Sequence, residues 1–308
     1  MAPEDTSPET AGTRCGFIAL IGATNAGKST LLNRLVGEKI AIVSHKVQTT
    51  RATVRGIALH GSSQIIFVDT PGLFRPKRRL DRAMVETAWG GAREADAVAL
   101  LVDARKGLTD ELREQLTPLS GIGKKKILVL NKIDLVRRDT LLALAGELNT
   151  MARFEATFMI SALEGDGSED LMRYLAAHVA PGPWLYPEDQ VADAPLRVLA
   201  AEITREKIFE RLHQELPYET HVETEQWTTR KDGSARVEQT IYVARDSQKK
   251  IVIGKGGQTL KWISTQARRE ITEAAGQPVH LFIFVKVREG WADDPARYRE
   301  IGIAFPTD

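Results

Sequence analysis

Gly22-Ala23-Thr24-Asn25-Ala26-Gly27-Lys28-Ser29-Thr30 is the stretch on which the reading of this chain turns. It has the spacing G-x-x-x-x-G-K-S. An apolar run, Gly16-Phe17-Ile18-Ala19-Leu20-Ile21, precedes it, and Leu31-Leu32-Asn33-Arg34-Leu35-Val36 follows. Buried strand, glycine loop and helix together are the setting in which this spacing makes a phosphate cradle. Glycines let successive N–H groups turn inward around phosphate oxygens, and the helix N-terminus adds a partial positive charge. Lys28 is placed to reach the β- and γ-phosphates, and the Ser29 hydroxyl to take one place on Mg2+. A plain glycine turn would leave the Lys28-Ser29 pair in register without a reason.

Outward from the cradle, strand-like runs alternate with amphipathic ones. Strands are expected near 16–21, 53–59, 64–69, 97–102, 126–131 and 156–160, and helices near 28–36, 80–92, 109–120, 139–151 and 168–179. This alternation predicts an α/β fold with a doubly wound, mostly parallel sheet over residues 14–182. Ligands bind such sheets beyond the carboxyl ends of the strands, and each further motif falls at one of those ends. Asp69-Thr70-Pro71-Gly72-Leu73 follows Ser63-Gln64-Ile65-Ile66-Phe67-Val68. Asp69 can hold Mg2+, and the Gly72 N–H can face the γ-phosphate and lose it on hydrolysis. Asn131-Lys132-Ile133-Asp134 selects the base. The guanine edge offers N1–H and a 2-amino group to a carboxylate, whereas adenine would leave Asp134 unpaired, so the expected nucleotide is GTP, with GDP as product. Asn131 bridges phosphate loop and base, and the Lys132 stem covers the ring. Ser161-Ala162-Leu163 ends another strand, with the Ala162 N–H expected to face guanine O6.

The polar stretch Ser44-His45-Lys46-Val47-Gln48-Thr49-Thr50-Arg51 contains the first switch. Thr49 and Thr50 both qualify as its metal ligand. The second switch, Gly72 to Arg79, carries a basic run that is either a solvated face or a docking patch. Leu73 stands where many GTPases have a glutamine that orients the attacking water. Leucine cannot do this, so intrinsic hydrolysis is expected to be slow.

The 308-residue length suggests two domains. Composition is ordinary for a soluble protein, 43% hydrophobic and 27% charged. No apolar stretch approaches a membrane span. The single Cys15 excludes an internal disulfide and fits a reducing cytosol; it reads as a small core residue. Residues 1–13 read as a disordered tail with no signal-peptide character. The net charge of +1 puts any nucleic-acid affinity in local patches. The six histidines show no metal spacing.

Residues 183–195 are proline-rich and read as a semi-rigid linker. Beyond it, residues 196–308 show the order α-β-β-α-α-β, with Gly254-Lys255-Gly256-Gly257 between two helices. This resembles the type II KH module for single-stranded RNA, whose glycine turn admits the nucleic-acid backbone while apolar neighbours meet bases. Lys249, Lys250, Lys255, Lys261, Arg268 and Arg269 make the surroundings basic. Ile251, Val252 and Ile253 are candidates for the apolar platform. Trp227, Trp262 and Trp291 are assigned to packing rather than base stacking.

A GTPase unit of this kind joined to one C-terminal KH domain resembles the bacterial Era family over residues 15–308. The marks are Gln48-Thr49-Thr50-Arg51, Asp69 to Leu73, Gly254 to Gly257 and the tail Gly290-Trp291-Ala292-Asp293-Asp294. The resemblance selects Thr50 as the switch threonine, giving Ser29, Thr50 and Asp69 as the Mg2+ set. It implies binding near the 3′ end of small-subunit (16S) ribosomal RNA and a role in 30S subunit assembly and rRNA maturation. It also implies a monomer in the cytoplasm with peripheral association at the inner face of the cell membrane. Two departures stand out: Ala23-Thr24 replace an Arg-Pro pair, and Leu163 replaces a lysine, which slightly weakens guanine packing. A hydrophobic residue at the Leu73 place goes with K+ held by an asparagine at the Asn25 position, so K+ is an expected cofactor. Lys28, Thr50, Asp69, Gly72 and Asn25 are then the catalytic set. The competing function is a membrane- or protein-docking signalling GTPase whose KH-like domain binds protein. An ATP-driven RNA remodeller is disfavoured by Asp134.

Overall fold

The computed structural model describes residues 12–44, 46, 50–51, 53–76, 78–213, 216–289 and 303. Residues 1–11, Gln48, Thr49, Lys77 and the tail from Gly290 to Asp294, Trp291 included, lie outside them.

Six strands form the first sheet: β1 (Arg14–Gly22), β2 (Val54–His60), β3 (Ser63–Asp69), β4 (Ala97–Asp103), β5 (Lys125–Asn131) and β6 (Ala156–Ile160), in the order β2-β3-β1-β4-β5-β6. All pairs are parallel except β2 with β3, which a short turn joins. The helices are α1 (Lys28–Val36), α2 (Arg79–Glu94), α3 (Asp110–Ser120), α4 (Arg138–Met151) and α5 (Ser168–His178).

The central strands are apolar on both faces because both faces are covered. Alternate residues of β1 go to opposite cores. Ile18 and Leu20 meet Leu31 and Leu32 of α1 and Leu171 and Leu175 of α5. Ala19 and Ile21 meet Ala88 and Ala92 of α2, Leu116 of α3 and Leu144 of α4. This leaves the carboxyl ends of β1, β3, β4, β5 and β6 open on one edge, where the motifs sit.

A second, three-stranded sheet holds β7 (Thr220–Thr229), β8 (Ala235–Val243) and β9 (Val279–Val287) in that order. β7 and β8 are antiparallel; β8 and β9 are parallel, which requires the crossover made by α7 (Asp246–Ile253) and α8 (Gln258–Ala275). With α6 (Leu196–Arg211) these helices bury Ile208, Ile241, Val252, Ile263 and Ile271 against the sheet. The order is the expected α-β-β-α-α-β. α6 starts four residues before the apolar periodicity begins at Ala200. Pro195 fixes its entry at φ −56, and the first turn is largely exposed, so it carries no periodic signal.

The proline-rich linker is tied to the first sheet rather than standing off it. Ile57 N–H donates to Val191 O (2.9 Å) and Asp193 N–H to Arg55 O (3.2 Å). The Gln64 side chain, wholly buried, accepts from Leu185 N–H and Tyr186 N–H and donates to Tyr186 O. A glutamine inside an apolar strand has no reason in local sequence; its backbone partners in the linker lie more than a hundred positions away.

Candidate active site and nucleic-acid interface

The cradle is built from backbone that only certain residues tolerate. Gly27 lies at φ +102, where a Cβ would fall 2.1 Å from Asn131 Nδ2. Asn25 itself adopts φ +61, a region asparagine enters more readily than most residues. Lys28 is buried and donates to Gly22 O and Ala23 O, both at 3.1 Å. Burial lowers its pKa to about 8, with the Asp69 charge opposing. A phosphate beside the ammonium would restore the charged form.

Three oxygens meet at the base of the cradle. Ser29 Oγ donates to Asp69 Oδ2 at 2.7 Å and lies 3.0 Å from Thr50 Oγ1. Asp69 Oδ1 is buried and has no hydrogen-bond partner among the described residues. Burial pushes the carboxyl up to about 6, with Lys28 and the Ser29 hydrogen bond opposing. An orphaned, desolvated carboxylate oxygen beside two hydroxyls suits a hard cation that takes oxygen ligands. The set therefore fits Mg2+, which supplies charge neutralisation between the β- and γ-phosphates.

Thr70 Oγ1 donates to Leu20 O at 2.9 Å, and Leu73 N–H to Gly22 O at 2.9 Å. These bonds lash the Asp69–Leu73 segment to the cradle. Gly72 lies so close that a Cβ would sit 2.7 Å from Thr24 Cγ2. The Leu73 side chain is buried among Ile21 and Ala88, turned into the core. It cannot orient a water, and its apolar burial is a packing role.

The base side is organised by Asn131. Its Nδ2 donates to Ala26 O (2.8 Å), and its Oδ1 accepts from Lys132 N–H (2.8 Å) and Ala162 N–H (2.9 Å). The Ala162 N–H expected to face guanine O6 is thus held by Asn131 instead, because the two strand ends lie side by side. Asp134 and Leu163 are exposed on the rim, and the cleft of about 360 Å³ that joins cradle to rim is lined by Thr24, Asn25, Lys28, Ser29, Thr30, Thr50, Gly72, Lys132, Asp134 and Leu163. Ser161, though buried, also lines the cleft, while Pro71 and Ala26 are buried behind it.

Sequence reading missed Asp103 and Arg105. Lys132 Nζ donates to Asn25 O (2.6 Å) and Asp103 Oδ2 (2.7 Å), and Arg105 grips the same carboxylate. Burial would raise the Asp103 pKa, but the hydrogen bonds from Arg105 and Lys132 outweigh it and hold it at about 2. An aspartate ending β4 was the available signal, since every other motif ends a strand.

In the second sheet's unit, Gly254, Gly256 and Gly257 take φ of +75, +58 and +76, as a tight turn between α7 and α8 demands. Lys250, Lys255, Lys261 and Arg268 are exposed, and Lys249 is half-buried. The apolar triplet divides. Ile251 is 55% exposed, Ile253 packs in part against the core, and Val252 is wholly buried. Val252 is therefore core rather than platform. Trp227 and Trp262 are half-buried on the core clusters, as assigned.

Known proteins accord with this geometry. A family model described as 50S ribosome-binding GTPase matches residues 17–132, and a KH domain model matches residues 215–292. "GTPase Era" of Rhizobium meliloti is 64% identical over 98% of this chain and 97% of its own. The chain belongs to the Era family of GTPases. The Era protein of Bradyrhizobium sp. BTAi1 is 63% identical over the full length of both chains. Two solved Era structures superpose with a TM-score of 0.90 at 36% identity over 95% of this chain. One, matched over 99% of its own chain, is a complex with MgGDPNP and nucleotides 1506–1542 of 16S ribosomal RNA. The other, matched over 100%, is an Aquifex aeolicus Era variant bound to GDP and AlF4−. Family membership makes this chain a GTP-binding, GTP-hydrolysing enzyme.

Proposed function

We propose that this GTPase is a nucleotide-controlled switch that binds small-subunit ribosomal RNA near its 3′ end and acts in 30S assembly and rRNA maturation. The observation that carries it is a guanine-nucleotide cleft and a KH glycine turn on one chain, in the arrangement of an Era protein that binds both MgGDPNP and 16S RNA. The matched GTPase model is described by 50S binding; the KH unit and that RNA complex favour the small subunit.

Residues 14–182 form the switch, 183–195 the linker and 196–308 the RNA-binding unit. Backbone N–H groups of the cradle and the Lys28 ammonium hold the phosphates. Ser29, Thr50 and Asp69 hold the metal. The Gly72 N–H reports the γ-phosphate, and Asp134 reads the guanine edge. With Leu73 buried, no side chain at that position orients water, so hydrolysis by the isolated protein is slow. Asn25 lines the cleft beside Lys28 and is the residue that seats K+ there, its carbonyl being held by Lys132. Hydrolysis is then faster in K+ than in Na+ at equal ionic strength, and equal rates refute that part. Exposed Lys250, Lys255, Lys261 and Arg268 support RNA backbone contact with Gly254, Gly256 and Gly257, while Ile251 offers apolar surface to bases. The same charges support peripheral contact with an anionic membrane face, which vesicle flotation tests.

The test is titration of a 16S 3′-end oligonucleotide with protein holding a GTP analogue or GDP. Different affinities, or altered hydrolysis on RNA binding, are expected; linkage requires the coupling to be reciprocal. Identical affinities with no effect on hydrolysis count against the proposal. Gly254→Asp adds a side chain whose Cβ would lie 2.2 Å from Thr259 Oγ1 and should abolish RNA binding while GTP hydrolysis persists. Unaltered RNA binding would favour the protein-docking reading.

A further inference from the structure

The segment leading into the first switch, at Lys39 and Val43, and the switch itself at Lys46 and Arg51 are fastened to the C-terminal unit. Lys39 pairs with Glu206 of α6 and Glu270 of α8, both at 2.6 Å. Val43 N–H donates to Glu206 Oε1 at 2.7 Å. Lys46 Nζ donates to Phe209 O and Leu212 O at the end of α6, where helical carbonyls lack partners of their own. Arg51 completes the row, donating through Nη1 to Thr220 O (2.9 Å) and through Nη2 to Tyr218 O (2.7 Å).

Arg51 is 6% exposed, and burial together with the nearby Arg205 works against its charge, opposed by Glu202 and Asp81. A guanidinium is kept in such a place only where its planar fork is matched. The receiving backbone is itself braced. Thr220 Oγ1 donates to Pro217 O at 2.9 Å, and the Tyr218 ring stands edge-on to Phe209 at 5.3 Å. One peptide bond away, Thr50 Oγ1 lies 3.0 Å from Ser29 Oγ. Consecutive residues therefore touch the nucleotide site and the RNA-binding unit.

We propose that Arg51 is a positioning residue for GTP hydrolysis, its fork on the Tyr218 and Thr220 carbonyls holding Thr50 against Ser29 and Asp69, so that the C-terminal unit is a working part of the GTPase site. This rests on the reading of Thr50 as a metal ligand. Fixing the guanidinium confines the adjoining hydroxyl to a short arc, and a displacement of about 1 Å at a reacting centre can cost about a hundredfold in rate. RNA that shifts the backbone at 218–220 would then change the rate without touching the nucleotide.

The test uses full-length protein, with steady-state hydrolysis and Mg2+ titrations on wild type, T50A, R51M, R51K and the T50A/R51M double variant. R51M should lower kcat about tenfold or more and raise the Mg2+ half-saturation, while GDP affinity is unchanged. R51K, which keeps the charge but loses the fork, should fall between and serves if R51M fails to fold. The double variant should be no slower than T50A, because both changes remove one interaction. Losses that multiply would overturn the proposal, as would R51M with wild-type kcat and Mg2+ dependence, or with GTP and GDP affinities falling together. Full activity in T50A would instead remove the assignment of Thr50 itself.

Discussion

Replacing Asn131 by alanine separates the role of this side chain as a brace from any direct part in chemistry. Asn131 is 2% exposed and makes three hydrogen bonds: to Ala26 O, from Lys132 N–H and from Ala162 N–H. Alanine leaves a buried carbonyl in the cradle and a buried N–H at Ala162 without that partner. At about 1 kcal/mol net per bond, the loss comes to about 3 kcal/mol. For a domain of this size each kcal/mol moves Tm by about 2–4 °C, so about 6–12 °C is expected. If the brace is needed only in the bound form, the same energy appears as roughly a hundredfold loss of nucleotide affinity. GTP and GDP should suffer alike, because two of the bonds lie on the base side of the cleft and the third, to Ala26 O, braces the cradle that both nucleotides use. Calorimetry and titration with fluorescent GDP and GTP analogues read both quantities. Asn131→Asp is the sharper companion, because it keeps the acceptor but sets a carboxylate oxygen against Ala26 O. A Tm within about 1 °C of wild type together with unchanged affinities would refute the reasoning, since surface-like effects of that size belong to side chains that brace nothing.

Asp134→Asn should weaken GTP binding about a hundredfold while improving binding of xanthosine triphosphate, whose 2-oxo group accepts where guanine donates; competition binding reads the exchange. Gln64→Leu keeps the volume but loses the bonds to Leu185 and Tyr186, and should cost about 2 kcal/mol with faster hydrogen exchange at those two amides. Asp103 has its pKa held at about 2, below the unfolded value, so its stabilising contribution is present above about pH 4 and lost as pH falls toward 2. Asp103→Asn should therefore lower Tm at pH 7 and flatten the acid limb of the Tm profile, and a parallel downward shift at all pH values would contradict this.

The elements of the first sheet were legible because each is written in a contiguous run. Apolar hexamers flanked by polar loops define β1, β3, β4 and β5, and the cradle follows β1 with no intervening residue. The second sheet was legible for the same reason, with alternation in β7 and β8 and a glycine turn between α7 and α8. Val252 shows where this stops. Its neighbours in sequence are as apolar as it is, and only the packing of α7 on β8 and β9 separates a core residue from the exposed Ile251.

Sequence by itself determined the Gly22–Thr30 spacing expected of a phosphate cradle, the Asn131–Asp134 motif from which guanine is expected, and leucine rather than glutamine at position 73. Each depends on residue type at a short spacing, and short spacings survive without knowledge of the fold. Tertiary structure alone decided that Asn131 ties three loops together, that Gln64 holds the linker and that Arg51 reaches the Tyr218 and Thr220 carbonyls. Apart from Lys132 N–H, next to Asn131 in the chain, those partners lie about thirty to one hundred and seventy positions away, and most are backbone groups, which every residue carries and no sequence pattern marks.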